Sequence, residues 1–76
     1  MTELVVIDTL GMACPIPIIR LAEAIEAAEP GVTFEIWSDD PGAKVDIPVW
    51  CRMKHHEFVG RTDRDKGWAF TVRKTA

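Results

Sequence analysis

Val32-Thr33-Phe34-Glu35-Ile36-Trp37 reads with a period of two, which places Val32, Phe34 and Ile36 on one face of a strand and Thr33, Glu35 and Trp37 on the other. Such a strand needs a layer to cover its apolar face, and the segments on either side supply helices. Upstream, from residue 15 to about residue 28, Ile18, Leu21, Ala22, Ile25 and Ala28 recur at helical spacing, while Arg20, Glu23 and Glu26 fall off that stripe. Glu29-Pro30-Gly31 ends this helix, because proline withdraws a donor and glycine accepts turn geometry. Downstream, Ser38-Asp39-Asp40-Pro41 and Asp46-Ile47-Pro48 are two competing start signals for a second helix. Its body, from residue 45 to about residue 54, sets Val49 and Met53 at i, i+4 beside Trp50 and Cys51, with Pro48 expected near its start or at a kink.

The ends of the chain complete the pattern. Leu4-Val5-Val6-Ile7 is a short β-branched run closed by Asp8, and reads as the first strand. Residues 56–62 and 68–73 flank the turn-rich Asp63-Arg64-Asp65-Lys66-Gly67 and read as a hairpin with Trp68, Phe70 and Val72 on one face. The order is βαβαββ. Its economical packing is an α/β (α+β) two-layer sandwich, a four-stranded mixed sheet with two helices on one face, formed by residues 1–76 as one domain.

With 76 residues, 47% of them hydrophobic, the chain has material for one core and little for a deep pocket. The net charge of −3 argues against a protein devoted to gripping phosphates. Residues 1–50 nevertheless carry nine acids and two bases, and residues 51–76 seven bases and three acids. An acidic front and a basic rear have the means to meet two partners, although most surface charge is only solvated. Two cysteines are too few to staple a secreted scaffold, the start has no basic segment ahead of its apolar run, and no run is long enough to span a membrane. The expected compartment is the cytoplasm.

The segment Leu10-Gly11-Met12-Ala13-Cys14-Pro15-Ile16-Pro17, between first strand and first helix, is more organised than a turn requires. Proline suits the first helical position, which would put Pro15 there and Cys14 at the N-cap. First-turn amides and the helix dipole favour a thiolate at that end. Two prolines remove donors that would have solvated the sulfur, and stiffen the junction. The alternative for Cys14 is a small packed hydrophobe.

Leu10-Gly11, Cys14-Pro15-Ile16-Pro17, Asp39-Asp40-Pro41, Asp46-Ile47-Pro48, Cys51 and His56-Glu57 together resemble the TusA/SirA-like sulfur-carrier family, from about residue 4 to residue 74. The resemblance implies a small two-layer α/β domain in which the Cys-Pro-x-Pro cysteine, here Cys14, takes sulfane sulfur as a persulfide and passes it on. Pro15, Pro17 and Gly11 would shape the site, with Arg20, Cys51 and His56 as accessory candidates. It implies transient sulfur-donor and sulfur-acceptor proteins as partners, with membrane transporters of thiosulfate among those some members serve, and no cofactor, metal or nucleic acid. The family pattern usually has glycine where His55 stands.

Other residues read more simply. Cys51 beside Trp50 is expected to be a packed, unreactive thiol. His55 and His56 are adjacent, project apart, and make a poor metal pair. Helix capping explains Asp39 or Asp40, and Asp46 as a further candidate, more simply than paired catalytic carboxylates or metal ligands do. Arg20 is expected to pair with Glu23, Trp50 and Trp68 to fill the core, and Trp37 to lie exposed on the second sheet face. A competing reading makes the chain a binding module that contacts RNA or an acidic protein through Arg61, Arg64, Lys66, Arg73 and Lys74.

Overall fold

The computed structural model describes residues 4–13 and 15–75. Along the chain come β1 (Leu4–Asp8), α1 (Ile16–Glu26), β2 (Thr33–Ser38), α2 (Ala43–Met53), β3 (Glu57–Asp63) and β4 (Trp68–Arg73), in the expected order. The strands lie side by side as β1-β2-β4-β3. β1 runs parallel to β2, with Leu4 opposite Thr33 and Asp8 opposite Trp37. β4 is antiparallel to both its neighbours, so the sheet is mixed.

The period of two in β2 decides which face is covered. Phe34 and Ile36 are fully buried, and the register sets them opposite Val72 and Phe70 of β4. Leu21 and Ile25 of α1 and Ala43, Ile47 and Cys51 of α2 close over the same side, with Val5, Ile7 and Phe58 packed around them. Both helices therefore share one face of the sheet. Trp50 and Trp68 lie at the margin of this core, half-buried. Lys44 of α2 places its ammonium 4.2 Å from the Trp68 ring centre.

Two expectations for α2 are corrected. The helix begins at Ala43, earlier than residue 45, so of the two places read for Pro48, near the start or within the helix at a kink, it takes the interior one. Its buried stripe is Ala43, Ile47 and Cys51, whereas Val49 and Met53 are 56% and 63% exposed. The early start reflects an earlier cap than the apolar spacing indicated. Asp40 accepts the Gly42 amide at 2.9 Å through Oδ1 and the Ala43 amide at 3.0 Å through its carbonyl, winding the chain into helix before residue 45. Packing against the sheet takes the Ala43, Ile47 and Cys51 row, which leaves the i, i+4 row Val45, Val49 and Met53 outward.

The two helix ends away from the β1–α1 loop are closed by different devices. Lys74 Nζ donates to the carbonyls of Ile25 and Ala28 at 2.7 and 2.6 Å, satisfying acceptors that α1 leaves open. At the end of α2, the His56 amide reaches Cys51 O at 2.9 Å and the His55 amide reaches Arg52 O at 3.3 Å, the paired bonds of a Schellman motif. That motif demands a left-handed residue, and His55 supplies it at φ +62°. A non-glycine residue is strained there.

The edges and the hairpin are also specific. A register shift between Phe58 and Gly60 bulges β3 at Val59, and Glu57, Arg61 and Asp63 line this edge, which discourages further strand pairing. In the β3–β4 turn, Gly67 has φ +76°, and a Cβ there would lie 2.3 Å from Ser38 O and 2.5 Å from the Asp39 Cα. The hairpin can seat against the end of β2 only through glycine.

Two outcomes are expected in thermal unfolding. His55→Gly relieves the left-handed strain at some cost in unfolded-chain entropy and stabilises by about 1 kcal/mol, a rise in midpoint of roughly 4–8 °C. An unchanged or lower midpoint would contradict the strain argument. Gly67→Ala forces β4 away from residues 38–39 and costs about 3 kcal/mol; a loss under 1 kcal/mol would show that the turn has room to move.

Candidate functional site

The β1–α1 loop leaves the sheet where the two parallel strands end together. Thr9, fully buried, donates its amide to Trp37 O at 3.0 Å, and its hydroxyl donates to the same carbonyl, so strand-like contact continues one residue past β1. Leu10 N donates to Asp8 Oδ1 at 3.0 Å, and Met12 N to Thr9 O at 3.1 Å. The latter bond closes a turn whose third residue, Gly11, has φ +80°, the sign a type II turn requires. Gly11 is exposed, and its amide meets both oxygens of the Asp39 carboxylate at 3.1 Å.

Cys14, expected exposed at the N-cap, lies outside the described residues. The helix start itself falls one residue later than expected. Pro15, at φ −95° and ψ 14°, is the N-cap and accepts the Ile19 amide at 3.0 Å, while Ile16 N reaches back to Ala13 O at 3.0 Å. Ile16 is thus the first helical residue and the buried Pro17 the second. Proline is tolerated at both positions because first-turn amides have no partner within the helix.

This end of α1 carries no acid in its first turn, so no carboxylate there offsets the positive end of the helix dipole. Around it the surface is apolar and open: Ile16 and Ile19 are 42% and 50% exposed, and Gly11, Ala13 and Pro15 are exposed as well. Arg20 is exposed and makes no ion pair with Glu23. Among the described residues it has no ion-pair partner, so the expected pairing with Glu23 is not formed.

Cys51 and His56 are not brought to this loop. Cys51 is 1% exposed inside the core, and burial pushes its thiol up to about 11, which makes it inert at neutral pH. His56 lies beyond the far end of α2, a helix about 16 Å long that starts beside the loop. There it is half-buried, its ring centre 5.7 Å from that of Trp50, and its Nδ1 accepts the Thr75 amide at 3.4 Å. It serves the closure of the fold.

The acidic pair divides its work. Asp40 starts α2, as a capping reading expects, but Asp39 reaches across to Gly11, 28 residues away, a contact that the capping reading missed. The available signal was numerical: one helix start does not need two adjacent caps. Asp46 sits in the first turn of α2, where its charge suits the dipole.

The five bases of the competing reading are mostly occupied. Lys74 holds the end of α1, Arg73 pairs with Glu57 at 3.5 Å, and Arg64 stacks 3.5 Å above the Trp37 ring. Trp37, which also donates to Glu35 at 2.7 Å, is consequently half-buried on the second sheet face, not exposed. Arg61 and Lys66 are left on the surface.

A family model described as sulfurtransferase TusA matches residues 5–74. The chain is 35% identical over 69 residues to YrkI of Bacillus subtilis (strain 168), provisionally described as a sulfur carrier protein, with 91% of this chain and 92% of that one aligned. Among solved structures, a SirA-like protein from Desulfitobacterium hafniense superposes with a TM-score of 0.80 over 100% of both chains at 24% identity, a likeness of fold.

The placement of His56 makes a pH dependence measurable. Burial, then the charges of Lys74 and His55, hold its pKa below the usual 6.5, so the unfolded chain takes up the proton first. Its contribution to stability is complete above about 6.5 and is lost as pH falls through the folded value. NMR titration should place His56 below 6.5, and urea midpoints should fall from pH 7.5 to pH 5.5 more in the wild type than in His56→Asn. A His56 titrating at or above 6.5 would reverse the sign.

Proposed function

The chain belongs to the TusA sulfurtransferase family, and on that premise we propose that it is a sulfur carrier whose Cys14 thiolate receives sulfane sulfur as a persulfide and delivers it to an acceptor protein. In the loading step the thiolate attacks the terminal sulfur of a donor persulfide. A new sulfur–sulfur bond forms on Cys14 as the donor's sulfur–sulfur bond breaks, and the donor leaves as its thiolate. With thiosulfate the same displacement releases sulfite. Delivery reverses the roles: an acceptor thiolate attacks the outer sulfur and Cys14 is the leaving thiolate. No external oxidant or reductant is consumed.

The observation that carries this reading is the loop's presentation at the α1 start. It has open apolar neighbours, an uncompensated dipole end and a backbone pinned to β2, which suits a sulfur that must enter a partner's active site. A carrier needs little more than an accessible thiolate, because its partners supply acids, bases and cofactors. The donors that fit are a cysteine desulfurase, a rhodanese or thiosulfate itself, and a membrane thiosulfate transporter belongs on the same partner list. Among the described residues no helix is long and apolar enough to cross a membrane, and the compartment proposed is the cytoplasm.

Intact-mass measurement after incubation with a sulfur donor, before and after reduction, tests the proposal. A reducible gain of one sulfur is expected on the wild type and on Cys51→Ser, and none on Cys14→Ser. Sulfur retained by Cys14→Ser would sink the assignment. Salt-sensitive RNA binding by Cys14→Ser, with no sulfur gained by the wild type, would favour the basic hairpin instead.

A further inference from the structure

We propose that Asp39 is the positioning residue of the sulfur-bearing loop: its carboxylate holds the Gly11 amide and so fixes the path by which the chain leaves β1 for Cys14. The proposal rests on the carrier reading of that loop and names the side chain that sets its geometry.

Three observations converge on Asp39. Its carboxylate stands 3.1 Å from Gly11 N through each oxygen, a charge-assisted contact bridging 28 residues of sequence. It is not needed to begin α2, because Asp40 takes the amides of Gly42 and Ala43. Its backbone is fixed from behind, since the close approach of Gly67 to Ser38 O and the Asp39 Cα leaves no space for even a methyl group. Asp39 is therefore a held support, with its side chain directed at the loop.

The loop needs such a support. Thr9 is anchored to Trp37 O by two bonds, but two residues later the backbone is exposed, and Gly11 at φ +80° has nothing within 4 Å of where a side chain would project. Glycine gives that turn its sign and no packing. The Asp39 carboxylate supplies what packing does not, three residues before Cys14. Its role is to limit the conformations from which the thiolate meets a sulfur in line, an orientation effect for which displacement of about 1 Å can cost up to a hundredfold in rate.

The test compares Asp39→Ala and Asp39→Asn, both in Cys51→Ser protein. Asparagine keeps a carbonyl acceptor at the same reach; alanine keeps none. In Asp39→Ala, Gly11 amide exchange measured by NMR is expected to quicken about tenfold. Sulfur acceptance by Cys14 is expected to slow between about tenfold and a hundredfold while the thermal midpoint stays within a few degrees. Asp39→Asn should restore both to within about threefold of the parent.

A parental acceptance rate in Asp39→Ala overturns the proposal, as does Asp39→Asn failing as badly as Asp39→Ala, which would make charge and not tethering the cause. If Asp39→Ala does not fold, Asp39→Ser, too short to reach Gly11, takes its place under the same criteria. If the parent protein itself accepts no sulfur, the carrier reading fails. Positioning by Asp39 is then judged by Gly11 exchange and by the rate of Cys14 alkylation alone.

Discussion

The parallel pairing of β1 with β2 does not stop at the last strand residue. Thr9 donates twice to the carbonyl of Trp37, and Gly11 donates to Asp39, so the segment that leads to α1 is carried on the end of β2. Everything at that end of the molecule depends on this continuation. β2 is central, held by β1 on one side and by β4 on the other, and its buried Phe34 and Ile36 tie it to both helices. The loop inherits the rigidity of the core without being buried in it. That combination is hard to obtain in 76 residues, where little apolar surface is left to wall a pocket.

The two thiols of this small domain stand in different settings along the chain. Cys51 fills a core position between α2 and the sheet, and burial alone silences it. Cys14 belongs to a segment whose neighbours are open, prolines fix the helix entry, and the first turn lacks acids. The proposed carrier role asks nothing of a second thiol or a nearby histidine, and His56 lies beyond the far end of α2. A displacement between sulfurs needs alignment more than acid–base assistance.

Much of the architecture was legible in the sequence because it rests on local signals. The period of two in residues 32–37, the helical stripe that includes Leu21 and Ile25, and the glycine of the β3–β4 turn each have a short-range physical cause. Element order followed from them. What was not legible depended on contacts across the fold. Residues 43–54 hold two apolar i, i+4 rows, Ala43-Ile47-Cys51 and Val45-Val49-Met53, and only packing against the sheet selects the first for burial. The bases of the hairpin looked free because Lys74 finds its acceptors 46 and 49 residues away, and Arg64 finds its aromatic partner on β2. The surplus of two adjacent acids before α2 hinted that one of them works elsewhere, but not that Asp39 ties the Gly11 amide, since a carboxylate that ties a loop and one that caps a helix look alike in sequence.

The strand order β1-β2-β4-β3 has a consequence for how the chain is made. β4 is synthesised after β1, β2 and β3, yet it occupies an interior place, and without it β2 and β3 have no common neighbour. A nascent chain emerging from the ribosome can form α1, and can pair β1 with β2, but cannot complete the sheet until β4 has cleared the exit tunnel. Lys74 then closes the end of α1 at nearly the same moment. The sheet is thus completed late, and the β1–α1 loop gains its full footing only when the whole fold is in place.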